Sequence, residues 1–246
     1  MASVLGFLRN HWKVISFLVP LVVFFGLDSF FSYDVAKTDE RPSGIDASPY
    51  LWLVIARVFC MMTLIAVFWR SYICDFELHV DRWGILVGLL GAAVWIGLCE
   101  LGIEKRLVSA IGFPDLLGER VGANPFKMYA DHGLLMTFLF FRFTLLVVAV
   151  PIAEELFLRA FFMRAVDAVE WQELPLDKIS MTGLVAGTGY GMLSHPSEFI
   201  AAAIWFTMVS ILMVRTNRFW NCVVAHAVTN FILGIYICAT DSWYLW

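Results

Sequence analysis

From Leu134 to Met163 the chain reads LLMTFLFFRFTLLVVAVPIAEELFLRAFFM, and within that apolar run stand two adjacent glutamates and an arginine, Glu154, Glu155 and Arg159. A charge at bilayer depth costs about 2.5–3.5 kcal/mol on insertion scales, so three together point to an intramembrane reaction centre rather than to packing alone. Neighbours on a helix point about 100° apart, whereas residues four apart share a face. Glu155 and Arg159 are therefore read as an ion pair that fixes the helix and partly neutralises the site. Glu154 is left as the carboxylate available for chemistry. The alternative is a purely structural cluster of all three.

The segment NCVVAHAVTNFILG brings a second polar pair, His226 and Asn230, again four apart and on one face. Stacked one turn apart on a membrane helix, they suit a substrate carbonyl, an ion or a bond to a neighbouring helix. A third element is His195 in GYGMLSHPSEF, between two apolar windows. Its neighbour Ser194 is adjacent in sequence, a poor geometry for a nucleophile and base, and GxSxG is absent, so serine catalysis is not expected. Arg57 and Arg142 also lie in apolar windows and need partners inside the protein, for which Glu100 and Glu104 are candidates. Arg142 could instead meet a substrate carboxylate. Cys60, Cys74, Cys99, Cys222 and Cys238 form no CxxC pair and read as small hydrophobes.

Helices in a membrane must position these groups. The chain has 246 residues, 61% hydrophobic and 15% charged, with 22 Phe and 10 Trp, more apolar surface than a soluble domain of this size could cover. Mean hydropathy is +0.78. The reading is an all-α polytopic transmembrane bundle of seven to eight helices, in one integral membrane domain over residues 1–246. Apolar windows fall at 12–31, 50–69, 83–103, 134–165, 180–195, 197–214 and 219–239. The fourth is too long for one span and holds Pro151, where a kink or a break is expected. The first window lacks a small-residue cleavage site and is read as a retained helix. Long polar connections are expected at 32–49 and 104–131, with RLVSAIGFPDLLG, 106–118, on the membrane surface. Basic residues lean weakly towards a cytoplasmic N-terminus. A net charge of −4 gives no reason to expect nucleic acid. If the chain turns near 166–179, Glu154, His195 and His226 converge roughly 10–22 Å below that surface, in a cavity that must open to it to admit water.

Glu154-Glu155-xxx-Arg159, then His195, then His226-xxx-Asn230, in this order on successive apolar helices, resembles the CPBP family of intramembrane proteases. This is the CAAX protease and bacteriocin-processing group, also called Abi. The resemblance spans about 134–232. It departs at Gly191, where the family usually carries Phe four residues before the histidine; Tyr190 stands beside it. Gly191 is expected to allow closer helix approach, and Glu198 to be a further local partner of His195. Ala160 stands where Gly is common.

The resemblance implies Glu154 as general base, His195 orienting or sharing the water's proton, and His226 with Asn230 stabilising the oxyanion, with Glu155 and Arg159 in support. Zinc on Glu154, His195 and His226 is possible by ligand type, but HExxH is missing, so a metal-free glutamate mechanism with no cofactor is favoured. The implied partners are the lipid bilayer and a membrane-anchored or lipidated protein or peptide substrate. The implied location is a bacterial inner membrane. A non-proteolytic scaffold or bacteriocin self-immunity protein of the same fold is the alternative. A proton-relaying transporter fits less well, because the polar residues are confined to one half.

Overall fold

The computed structural model describes residues 2–30, 48–113, 117, 122 and 124–245, and the regular structure there is all helical. The α-helices are α1 (Ala2–Phe30), α2 (Ser48–Asp75), α3 (Arg82–Leu101), α4 (Ile103–Ala110), α5 (Pro125–Met128), α6 (His132–Thr144), α7 (Val150–Glu155), α8 (Met163–Asp167), α9 (Met181–Ser194), α10 (Phe199–Thr216) and α11 (Phe219–Thr240). Each of the seven apolar windows is helical. Among the described residues, five stretches are long and apolar enough to cross a membrane: Tyr50–Asp75, Arg82–Leu101, His132–Asp167, Pro196–Thr216 and Phe219–Thr240. The protein is thus an all-α integral membrane protein. The expected 32–49 connection lies outside the described residues except for its last two, as does part of 106–118; α4 occupies the start of the latter.

Pro151 neither breaks the long fourth window nor ends a helix. Residues 132–167 run continuously as α6, a π-helical turn Leu145–Ala149, α7, a second π-turn Leu156–Phe162, and α8. In the first π-turn the Val150 N–H donates to Leu145 O, five residues back, and in the second the Met163 N–H donates to Leu158 O. The wider turn accommodates the proline ring that would clash in a regular α-turn. Glu154 and Glu155 therefore sit on a short α-helical segment held between two π-turns, a placement that recurs at functional sites.

Small residues set how closely α11 approaches. Gly84, Gly88 and Gly91 of α3 face it, and a Cβ on Gly88 would lie 2.7 Å from both Ala225 O and Val228 Cβ. Such close backbone approach is how membrane helices gain packing when lipid removes the hydrophobic drive between them. Thr229 Oγ1 donates to Gly88 O at 3.0 Å and accepts from Trp205 Nε1 at 3.0 Å, tying α3, α10 and α11 together one turn from His226. At the start of α3, Asp81 caps the helix by accepting from the Trp83 N–H, and its own N–H donates to Asn221 Oδ1. Burial would raise the Asp81 carboxyl, but hydrogen bonding and Arg218 outweigh it and hold the group below the usual carboxylate value. At the same end of the bundle, Lys13 pairs with Asp75 at 2.8 Å between α1 and α2.

The two acids considered for Arg57 and Arg142 each accept a hydrogen bond from a neighbouring element. Glu100 accepts from Tyr244 Oη at 3.0 Å, and Glu104, buried, accepts from the Ala201 N–H at 3.1 Å in the first turn of α10. Arg57 lies with its guanidinium 5.0 Å from the centre of the Phe24 ring. All five cysteines are free thiols.

Candidate active site

Glu155 and Arg159 are both completely buried, with Nη1 to Oε1 at 3.2 Å. That is the i,i+4 pair the spacing predicts. Arg159 also donates through Nη2 to Phe206 O at 3.3 Å, and its guanidinium lies 5.1 Å from the Phe206 ring centre. Tertiary packing adds a third member: His226 Nδ1 is 3.0 Å from the same Glu155 Oε1. A carboxylate can only accept, so Nδ1 carries the hydrogen, leaving Nε2 pointed the other way. Nε2 lies 3.8 Å from Glu154 Oε2, too far for a direct hydrogen bond and close enough for one shared proton carrier.

Glu154, one residue before Glu155, faces a different space. It lines a cavity of about 230 Å³ together with Ser194, His195, His226 and Asn230. The four residues assigned catalytic roles by resemblance thus converge on one void. Its other walls are apolar or aromatic, including Trp95, Trp205, Leu146, Leu233 and Leu245. Leu146 lies towards the 132 end of the long helix, and Leu233 and Leu245 lie towards the C-terminal end of α11 and beyond. The cavity therefore extends away from the 168–180 connection, opposite to the surface expected from the turn near 166–179. Within that connection Arg164 donates to Leu174 O and Gln172 O at 2.8 Å each, beside a separate cavity of about 470 Å³.

His195 ends α9 and is held by its surroundings. Its ring meets Trp95 edge-on at 5.2 Å between centres and Phe206 at 5.8 Å. Ser194 Oγ lies 3.0 Å from His195 Nδ1, within hydrogen-bond reach despite their adjacency in sequence. The chain turns out of the helix at His195, and that places the two side chains side by side. Ser194 Oγ donates to Gly191 O at 3.1 Å, and His195 Nδ1 lies 3.3 Å from the same carbonyl. With the Ser194 hydroxyl donating to Gly191 O, which accepts only, Nδ1 is assigned as the protonated nitrogen and Nε2 as the one with the lone pair. Glu198 meets His195 through the backbone, its N–H donating to His195 O at 3.1 Å.

Gly191 has a steric reason. A Cβ there would lie 2.3 Å from Cγ and Cδ2 of Phe206, so the absent side chain is the space the Phe206 ring fills. The expected close approach of α9 and α10 is present. Phe206 and Trp205 were not read as site residues from the sequence. Trp205 lies 4.8 Å from the His226 ring, edge to face. Tyr190 was noted only as a neighbour of Gly191. Its hydroxyl is buried beside Glu154. Arg142, considered for a substrate carboxylate, is not among the residues lining the cavity.

Asn230 Nδ2 donates to Leu146 O at 2.9 Å, a bond to a neighbouring helix of the kind open to it from sequence. Among the described residues no three His, Cys, Asp or Glu side chains, Glu154, His195 and His226 included, come together to hold a metal.

A family model described as type II CAAX prenyl endopeptidase Rce1-like matches residues 135–232, about two fifths of the chain. No curated protein and no solved structure matches.

Proposed function

From the match of residues 135–232 to the Rce1-like family model, we propose that the protein is an intramembrane endopeptidase that cleaves a membrane-associated peptide with water activated by Glu154. The observation that carries this reading is the convergence of Glu154, His195, His226 and Asn230 on one cavity. Peptide hydrolysis needs a base beside the scissile carbonyl and donors where negative charge develops. Glu154 is the base: it takes the proton as the water oxygen bonds to the carbonyl carbon. His195 Nε2, with its lone pair, holds the same water. The proton on Glu154 lies within one carrier of His226 Nε2, and the imidazolium that would form has Glu155 on its other nitrogen. Glu155 then plays the orienting and stabilising part that a buried carboxylate plays behind any catalytic histidine. The imidazolium N–H and the Asn230 amide face the oxyanion, and the proton finally goes to the leaving nitrogen as the C–N bond breaks.

The apolar walls, Phe24, Leu146, Leu233 and Leu245, suit a substrate whose scissile segment is delivered from the bilayer. Counting α1, with its apolar stretch His11–Leu27, and the short α9 as further passes gives a seven-helix membrane domain over the whole chain.

The test is cleavage of membrane-anchored peptides by the purified protein in lipid nanodiscs, wild type beside Glu154→Gln, with and without chelator. The expected result is a loss of at least about a thousand-fold in kcat for Glu154→Gln, a size typical of losing a general base together with water positioning. Chelator should change nothing. Full activity in Glu154→Gln would sink the reading.

A further inference from the structure

Pro151 has no side chain in the cavity and no polar group to offer, yet it determines what holds Asn230. A π-turn bonds each N–H to the carbonyl five residues back, as Val150 N–H does to Leu145 O. One residue on, the same pattern would join residue 151 to Leu146 O. Proline has no N–H, so Leu146 O is left without its helical donor, in a setting where an unmatched backbone carbonyl is costly. Asn230 Nδ2 occupies that vacancy at 2.9 Å.

We propose that Pro151 is a positioning residue for cleavage: by withholding its N–H it reserves Leu146 O for one hydrogen of the Asn230 amide, and so aims the other at the cavity. The side-chain amide has two donors, and a bond to one fixes the plane and direction of both. Asn230, Leu146 and Glu154 all line the cavity, so the fixed amide and the base share one space. The polar pair of α11 is thus clamped twice by the same long helix, His226 by Glu155 and Asn230 by Leu146 O. One clamp is at the end of α7, the short helix carrying Glu154, and the other is in the π-turn before it.

This inference rests on the protease reading, and Pro151→Ala tests it. Alanine restores an N–H and is a far better helix residue than proline, so the fold should hold or gain stability. Leu146 O then has a backbone donor and Asn230 is released. The expected result is a fall in kcat of about ten- to a hundred-fold with little change in KM and an unchanged or higher Tm, since a small misplacement of a positioned group costs that much. In the Pro151→Ala background, Asn230→Ala should cost much less than it does in the wild type. A direct readout comes from the two Asn230 Nδ2 protons by NMR, assigned by their loss in Asn230→Ala. They should differ strongly in shift in the wild type and converge in Pro151→Ala. Wild-type kcat in Pro151→Ala, or unchanged Asn230 resonances, would overturn the proposal even with Glu154-dependent cleavage intact. Altered resonances in a protein that cleaves nothing would instead sink the protease reading.

Discussion

Glu154 and Glu155 are adjacent, and their surroundings are opposite. Glu155 is sealed into a wall with Arg159, His226 Nδ1 and the backbone of Phe206, with no exposure at all. Glu154 turns about 100° away and borders the cavity, with His226 Nε2 at 3.8 Å. The comparison separates two uses of buried charge in a membrane. In the wall, opposite charges are paired away from solvent, Glu155 through Oε1 with both Arg159 and His226. Beside the cavity, one carboxylate is left unneutralised where water and substrate could reach it. His226 belongs to both, one nitrogen in each.

The contrast is broken most severely from the wall side. Arg159→Ala leaves Glu155 as an uncompensated buried carboxylate and should cost about 3–5 kcal/mol of stability, measured as loss of folded protein in a detergent or nanodisc melt. Activity should fall with it. A substitution at Gly191 acts where the two regions meet, because Phe206 touches both Arg159 and His195. Gly191→Ala drives a methyl group into that ring and should cost about 1–3 kcal/mol, lowering Tm and kcat together. If Tm fell alone, Phe206 would be filler for the wall and no support for His195. The smallest effect sharpens the cavity side. Ser194 donates to Gly191 O and only assists His195, so Ser194→Ala should lower kcat by less than about three-fold. A thousand-fold loss there would instead make Ser194 the nucleophile and displace Glu154.

Much of the wall was legible in the sequence. Spacing alone paired Glu155 with Arg159, released Glu154 and put His226 and Asn230 on one face, because helical geometry fixes those relations before any tertiary contact. All seven apolar windows are helices for the same reason. Contacts between helices were not legible. Nothing in the local pattern says that His226 reaches Glu155 rather than Glu154, or that Phe206 enters the space left at Gly191. The behaviour of Pro151 shows the limit well. Proline predicts a disrupted helix, but whether the chain breaks, kinks or widens depends on whether a donor is available nearby, and that donor is on another helix. The direction of the cavity shows the same limit: helix order gives depth along each segment, whereas the way a cavity extends depends on which side chains of several helices border it, here Leu146, Leu233 and Leu245.

The helices around the site differ greatly in length, and the surrounding lipid must respond. At about 1.5 Å per residue, the 14 residues of α9 reach about 21 Å, while the continuous run beside it, 36 residues from His132 to Asp167, reaches about 54 Å. A bilayer core is about 30 Å thick, so the first is too short and the second too long for the same membrane. If α9 is a membrane pass, as proposed, acyl chains along it would be drawn thin and the long run would tilt or project, each at a modest elastic cost per ångström. His195 sits at the tip of the short element, so thin lipid would bring the headgroups closer to it. Membrane thickness would then be a physical variable of the site, set by the host lipid as well as by the chain.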